Sequence, residues 1–118
     1  MTNSLGYDDL LRENSAMLER LKTRHDISGS RTIEIQASFK DRQTALEARA
    51  SIKAAHEIPK GVILVVSRIA QQDGSQTVDL QFDLQAVPTA GLITKYEAML
   101  KEAAAKFAGG GTSWMIHP

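Results

Sequence analysis

The residue types that most often carry catalysis or bind metal ions are sparse and scattered in this chain. The three histidines, His25, His56 and His117, fall in a connector, at a helix end and near the C-terminus. None is spaced from another like a metal-binding pair, such as two histidines four residues apart on a helix. There is no cysteine, which excludes disulfides, thiolate metal sites and cysteine nucleophiles. No pair of nucleophile and base can be identified. The sequence therefore predicts that the protein is not an enzyme and that it has no catalytic, metal-binding or cofactor-binding residue.

Three local patterns resemble functional motifs. Gly109–Gly111 could suggest a phosphate loop, but such loops precede a helix, whose N-terminus offers free amides. Here the glycines follow a predicted helix and are interpreted as its end. His56-Glu57 lies near a helix C-terminus, where a histidine suits the helix dipole. Thr94 and Glu97 have the spacing of a capping box, or they are ordinary helix surface, since they lie a turn inside the predicted helix start.

Three carboxylates, Glu34, Asp79 and Asp83, occupy positions of two predicted strands that face away from the core. They either form the solvated face of an antiparallel sheet or contact a basic partner segment. RNA-recognition motifs share this order of elements, but they stack bases on aromatic side chains of the central strands. The outward positions here hold no ring, and carboxylates repel phosphate, so we predict no direct nucleic-acid binding. Trp114 is either part of the core, the favoured interpretation, or an exposed partner-binding anchor.

Alternation of apolar and polar residues predicts two half-buried strands, Thr32–Phe39 and Thr77–Ala86. Their predicted core residues are Ile33, Ile35, Ala37 and Phe39 in the first and Val78, Leu80, Phe82, Leu84 and Ala86 in the second. Val62–Ile69 is predicted as an apolar, β-branched strand and Thr112–Ile116 as a short final strand. Gln71–Gln76, with its Asp73-Gly74 pair, predicts the hairpin loop before the second alternating strand.

Apolar residues at three- and four-residue steps predict helices at Asp8–Thr23, Asp41–Ala55 and Thr89–Phe107. Asp8 or Asp9 suits the N-terminal end of the first helix, and Asp41 suits the N-cap of the second. The predicted buried residues are Leu10, Leu11, Met17, Leu18 and Leu21, then Ala45, Ala48, Ile52 and Ala55, then Ile93, Tyr96, Leu100, Ala103, Ala104 and Phe107. An isolated helix as short as the first is marginal in water, so it must dock on its own domain or on a second copy in a homodimer.

This order of elements predicts an α+β fold, a ferredoxin-like βαββαβ sandwich with an additional N-terminal helix, in which the first and third strands are central neighbours. Residues 1–118 are expected to form one domain, with the helix at about 8–23 and the core at about 32–118. Basic and acidic residues are equal in number, 14 of each, which argues against broad electrostatic capture of nucleic acid or membrane. Because neither a membrane span nor a signal peptide is found, the expected location is the cytoplasm.

With these elements in order, the chain resembles the RraB family, regulators of ribonuclease E activity also described as ribonuclease E inhibitors. The resemblance runs from the N-terminal helix to Trp114. It includes the strand opening Thr32-Ile33-Glu34, the following helix that bears Glu47, Leu92-Ile93, the helix ending Ala105-Lys106-Phe107 and the glycine-containing turn before Trp114.

The chain departs from the family at several positions. Where the family has a pair of histidines, this chain has Ile35 and Gln36. Where the family has glycines on either side of its tryptophan, this chain has Ser113 and Met115. The strong negative charge of well-known members is not shared. The resemblance implies a non-catalytic bacterial protein that binds the scaffold region of an RNA-degrading endonuclease and modulates its cleavage. The alternative is a ferredoxin-like domain that binds a small molecule or another subunit, without a ribonuclease partner.

Overall fold

Three helices and four strands make up the computed structural model, which describes residues 2–70 and 76–117, with side chains at 6–67 and 77–117. The elements in chain order are α1 (Thr2–Lys22), β1 (Arg31–Phe39), α2 (Arg42–Ala55), β2 (Ile63–Ala70), β3 (Gln76–Ala86), α3 (Ala90–Lys106) and β4 (Thr112–Ile116). All the predicted elements are present in the predicted order. The turn predicted at Asp73-Gly74 lies outside the described residues.

The one large boundary error concerns α1. It begins at Thr2, so the prediction that Asp8 or Asp9 lies at its N-terminal end is wrong. The reason is that a stripe of apolar residues marks only the part of a helix that packs against the rest of the protein. Leu10 is buried, but the residues of α1 described before it, from Gly6 to Asp9, are exposed.

The strands form one four-stranded sheet in the order β2-β3-β1-β4, and every neighbouring pair is antiparallel. β1 and β3 are the central neighbours, which confirms the predicted pairing. In this register Ile35 lies opposite Phe82 on one side and opposite Trp114 on the other. The fold is therefore a mixed α and β arrangement with a fully antiparallel sheet.

The core lies between one face of the sheet and helices α2 and α3. It contains the predicted alternating side chains of β1 and β3, and the Phe82 and Tyr96 rings meet with centroids 4.9 Å apart. From α2 it takes Ala45, Ala48 and Ile52, small enough for close packing on the sheet. Ala55, predicted to be buried as well, is exposed because it is the last residue of α2 and the chain turns away after it.

Asp41 is the N-cap of α2, as predicted, and Thr89, predicted as the start of the third helix, is the N-cap of α3. The Asp41 carboxylate accepts a hydrogen bond of 2.8 Å from the Thr44 backbone N–H, and the Thr89 hydroxyl accepts one of 3.2 Å from that of Leu92. Each bond satisfies one of the N–H groups that a helix leaves without an internal partner at its first turn. Asp41 and Thr89 therefore fix where α2 and α3 begin.

At the end of α3 the glycines act differently from the prediction. Ala108, and not a glycine, takes the left-handed conformation, with φ at 56°. The next N–H, of Gly109, donates to the Ala104 carbonyl at 2.6 Å, which closes a Schellman-type helix end. Gly109 is needed for space, since a Cβ there would lie 2.8 Å from both the Ala104 Cβ and the Phe39 Cε1.

Helix α1 packs on α3 within its own domain, chiefly through Leu10 and Leu18. Leu11 and Leu21 are half-buried, but the prediction for Met17 is wrong, because 43% of it is exposed. The residue that takes its place on the buried stripe is Asn14, only 2% exposed and spaced four residues from both Leu10 and Leu18. The apolar residues that might have served a homodimer are thus mostly used inside the chain.

Asn14 is the centre of a buried polar cluster that joins α1 to α3 and β4. Its side-chain N–H₂ donates to the Thr94 hydroxyl at 3.0 Å and to Glu97 Oε1 at 2.8 Å. Its oxygen accepts a bond of 2.8 Å from the Trp114 indole N–H. The Thr112 hydroxyl donates to the other Glu97 oxygen at 2.5 Å. Both interpretations of Thr94 and Glu97, as a capping box or as helix surface, are therefore wrong, because the two residues are 0% and 4% exposed.

Candidate protein-binding face

The sheet has a second face, which we call the open face, on the side opposite the core. The residue alternation places on it Thr32, Glu34, Gln36 and Ser38 of β1, Ile63, Val65 and Ser67 of β2, Asp79, Gln81, Asp83 and Gln85 of β3, and Ser113 and Met115 of β4. Both α2 and α3 pack on the core side, and α1 packs on α3. None of the helices that the structure describes contributes to the open face.

Two of the predicted carboxylates meet directly on this face. Glu34 lies opposite Asp83 in the β1–β3 register. The Gln81 side-chain N–H₂ donates to Glu34 Oε1 at 2.8 Å and to Asp83 Oδ1 at 2.6 Å. Like charges placed opposite each other destabilise a sheet, and this shared amide offsets part of that repulsion. The second oxygen of Glu34 contacts the His117 ring at Nε2.

Apolar side chains flank this acidic pair. The register sets Ile63 beside Asp83 and Met115 beside Glu34, so one row crosses all four strands as apolar, acidic, acidic, apolar. Ile63 and Met115 are 56% and 57% exposed, although isoleucine and methionine are among the residues most often buried in proteins. A shallow cavity of about 420 Å³, lined in part by Glu34, Ile63 and Asp83, lies at the same end of the face. The row combines negative charge with exposed apolar surface.

The third predicted carboxylate, Asp79, differs from the other two. It lies opposite Ser38 of β1 and Ser67 of β2, and is only 6% exposed. Burial raises the pKa of Asp79 above the usual range for aspartate, because the ionised form loses hydration. Its carboxylate makes no hydrogen bond with any side chain that the structure describes. The sequence showed that Asp79 faces outward but not that it is enclosed.

Trp114, the fourth predicted contact residue, does not join the carboxylates. It lies on the core side of β4, half-buried, with its indole N–H bonded to Asn14. This agrees with the favoured interpretation of Trp114 as part of the core, and removes it from the candidate contact surface. The residues that sequence reasoning missed are Ile63, Met115 and His117. Their positions beside the carboxylates depend on the order of strands in the sheet.

The described part of the open face carries no aromatic ring of phenylalanine, tyrosine or tryptophan and no lysine or arginine. A surface that stacks single-stranded bases needs rings, and one that holds phosphates needs cations. Within the described residues no group of three or more histidine, aspartate or glutamate side chains is placed to hold a metal ion. The open face is therefore chemically suited to a cationic and partly apolar ligand.

Two further observations bear on the kind of protein this is. In the described part of the chain, no helix has the length and apolar character needed to cross a membrane. Neither a scan of the chain against models of known protein families nor a search among curated proteins found a match.

Proposed function

We propose that this chain is a non-catalytic regulatory protein that binds an RNA-degrading endonuclease of the ribonuclease E type through its open face and modulates its cleavage. The observation that carries the binding mode is the row formed by Ile63, Asp83, Glu34 and Met115, which pairs two carboxylates with exposed apolar side chains. A partner segment that alternates basic and apolar residues complements such a row. Charged groups arranged this way raise the rate of encounter and select the partner.

The choice of endonuclease rests on the resemblance of the sequence to the RraB family. The resembling stretch Thr32-Ile33-Glu34 opens β1, so it supplies one of the two carboxylates of the row. A bacterial partner of this kind would place the protein in the cytoplasm. The strand order β2-β3-β1-β4, with α2 and α3 on one face, supports the proposal that the scaffold is ferredoxin-like with an added N-terminal helix.

The alternative, a domain that binds a small molecule between helices and sheet, receives no comparable support. The space between α3 and the sheet is occupied by side chains that are themselves fully buried, among them Ile33, Phe82, Ile93 and Leu100. Such packing leaves little room for a ligand, because protein interiors are about as dense as organic crystals.

A cleavage assay with purified components tests the proposal. The endonuclease from the same bacterium would cut a labelled RNA oligonucleotide with and without this protein, and the binding of the two proteins would be titrated at several salt concentrations. The triple variant Glu34→Gln, Asp79→Asn, Asp83→Asn should associate more slowly and with a flatter salt dependence. Exposed pairs contribute about 0–1 kcal/mol each, so the combined loss of affinity is at most about a hundredfold.

The matched control is the triple variant Glu47→Gln, Glu57→Gln, Glu102→Gln, which changes net charge equally at exposed positions outside the open face. It should retain both binding and modulation. Equal losses in the two triple variants would show a general charge effect and no defined face. Unchanged cleavage by the endonuclease, together with tight RNA binding by this protein at physiological salt, would refute the proposed function.

A further inference from the structure

Asp79 has an environment that the protein itself does not account for. Aspartate is almost never fully buried unless it is paired, because an ionised carboxylate loses its hydration. Asp79 is 6% exposed and has no hydrogen-bond partner among the described side chains. Burial raises the pKa of Asp79, because the ionised carboxylate loses hydration. Among the described residues the one fully buried polar side-chain atom without a hydrogen bond is Arg31 Nε, so the Asp79 carboxylate still reaches solvent and can accept a hydrogen bond from a ligand.

The charged side chains that the structure describes on the open face do not provide a charged partner for Asp79. The other charged or titratable groups of the open face, Glu34, Asp83 and His117, lie at its far end. Four residues of strand separate Asp79 from Asp83, or about 13 Å. Lys40 follows the end of β1. The hydrogen bonds from Thr44, and after them the charge of Lys40, lower the pKa of Asp41, and Lys40 is not among the causes of the shift at Asp79.

The immediate neighbours of Asp79 are small and carry hydroxyl groups. Ser38 and Ser67 lie opposite it on the two adjacent strands, where paired Cβ atoms are typically about 4.5–5.5 Å apart. On the far side of Ser38 the chain passes closely, since the Gly110 N–H donates to the Ser38 carbonyl at 2.7 Å. A Cβ at position 110 would lie 2.8 Å from the Ser38 hydroxyl oxygen, so Gly110 packs closely against Ser38 and a larger residue there would displace this hydroxyl.

We infer that Asp79, with the Ser38 and Ser67 hydroxyls, forms a recessed site for one primary ammonium group, supplied by a lysine of the protein partner. This inference rests on the proposed function for the partner, but the chemistry of the site does not depend on which protein supplies the lysine. An ammonium is compact and carries three donors, which the carboxylate and two hydroxyls can accept. The planar guanidinium of arginine is wider and prefers both carboxylate oxygens side by side, whereas only 6% of Asp79 is exposed, which favours the compact ammonium.

The site also adds to the row at the other end of the open face. An extended segment that lies across the face can place apolar side chains near Ile63 and Met115 and a lysine in the Asp79 site. The row then contributes apolar contact and long-range attraction, while Asp79 selects the type of cation. Selectivity for lysine over arginine is the property that distinguishes this site from an acidic surface in general.

The test uses the whole protein and a capped pentapeptide with a single central lysine between valines, so no endonuclease is needed. Binding would be followed by NMR of the backbone amides and of the aspartate carboxyl carbons. We expect saturable shifts at Asp79, Ser38 and Ser67 and a fall in the Asp79 pKa with bound peptide. Peptides with arginine or Nε-acetyl-lysine in place of the lysine should bind at least about fivefold more weakly.

Two single variants with the same change in net charge give the control. Asp79→Asn keeps the shape of the side chain and should weaken binding of the lysine peptide by about tenfold or more. Asp83→Asn should change it by less than about threefold. A melting temperature of Asp79→Asn at or above that of the wild type would show that the loss does not come from unfolding.

Several results would overturn the inference. These are equal binding of the lysine and arginine peptides, shifts confined to Glu34 and Asp83, and unchanged affinity of Asp79→Asn. The two proposals fail separately. Capture of the endonuclease through Glu34 and Asp83 without a lysine-selective site would reject only this inference, while a lysine-selective site in a protein that leaves the endonuclease unaffected would reject only the proposed function.

Discussion

Substitution of Asn14 by alanine gives the most direct test of how α1 is held. The change removes hydrogen bonds of 3.0 Å to Thr94, 2.8 Å to Glu97 and 2.8 Å from Trp114. A neutral hydrogen bond contributes about 1 kcal/mol and one to a charged group about 1.5–3 kcal/mol. Because Thr94 and Glu97 stay buried and all three partners lose a hydrogen bond, we expect the free energy of unfolding to fall by about 3–5 kcal/mol. For a domain of this size that corresponds to a drop of about 12–20 °C in melting temperature.

The assay is urea denaturation followed by far-ultraviolet circular dichroism and by the fluorescence of Trp114, the only tryptophan of the chain. Glu13→Ala, exposed and adjacent on the same helix, is the control and should cost less than about 0.5 kcal/mol. A double-mutant cycle of Asn14→Ala with Glu97→Gln should show a coupling energy above about 0.5 kcal/mol. A loss below about 1 kcal/mol for Asn14→Ala, or additive effects in the cycle, would refute the view that this cluster holds α1 in place.

Three further predictions concern the core, the end of α3 and the open face. Phe82→Ala should cost about 3–5 kcal/mol by chemical denaturation, because the ring is 0% exposed and its loss leaves a cavity; a cost near zero would contradict this packing. Gly109→Ala should cost about 1–3 kcal/mol through overpacking, whereas Gly91→Ala, where a Cβ meets nothing within 4 Å, should stabilise by about 0.4–1 kcal/mol. The opposite order would show that position 109 can relax. Because the pKa of Asp79 is raised in the folded protein, ionisation of Asp79 lowers the free energy of unfolding. This destabilisation is complete at pH values above the pKa of the folded state and absent at pH values below the pKa of the unfolded state. Asp79→Asn should therefore stabilise the protein near neutral pH, with a gain that shrinks toward about pH 4; a gain independent of pH would exclude the titration as its cause.

Much of the fold follows from patterns that are local in the sequence. The period of two in β1 and β3 predicted both the strands and their core residues, because each strand buries only one face. Asp41 and the small residues Ala45 and Ala48 predicted the start and the buried face of α2 in the same way. Such signals need no knowledge of distant parts of the chain.

The errors arise where the fate of a residue depends on distant partners. Asn14 reads as a solvent-exposed residue, but it is buried because Thr94, Glu97 and Trp114 satisfy all of its hydrogen-bonding groups. The spacing of Met17 from Leu10 and Leu21 placed it on the predicted stripe, but the helix rotation that buries Asn14 exposes it.

The candidate contact face was predicted in part for the same reason. Glu34, Asp79 and Asp83 were placed correctly on the side away from the core, since alternation decides that question within each strand. The flanking positions of Ile63 and Met115 depend on which strands form the edges of the sheet, which alternation does not reveal. The enclosure of Asp79 depends in addition on neighbours from two other strands.

The cluster around Asn14 also has a consequence for the order in which the protein is made. Its hydrogen-bond partners are 80, 83 and 100 residues further along the chain, so α1 leaves the ribosome long before anything that can hold it has been synthesised. Synthesis proceeds at about 5–20 residues per second, which leaves α1 without its docking surface for several seconds. During that interval a short helix is marginal in water and open to proteases. We therefore expect docking of the first helix to be a late step in the folding of a newly made chain, and limited proteolysis of ribosome-bound chains of increasing length should show α1 becoming protected only after Trp114 has emerged.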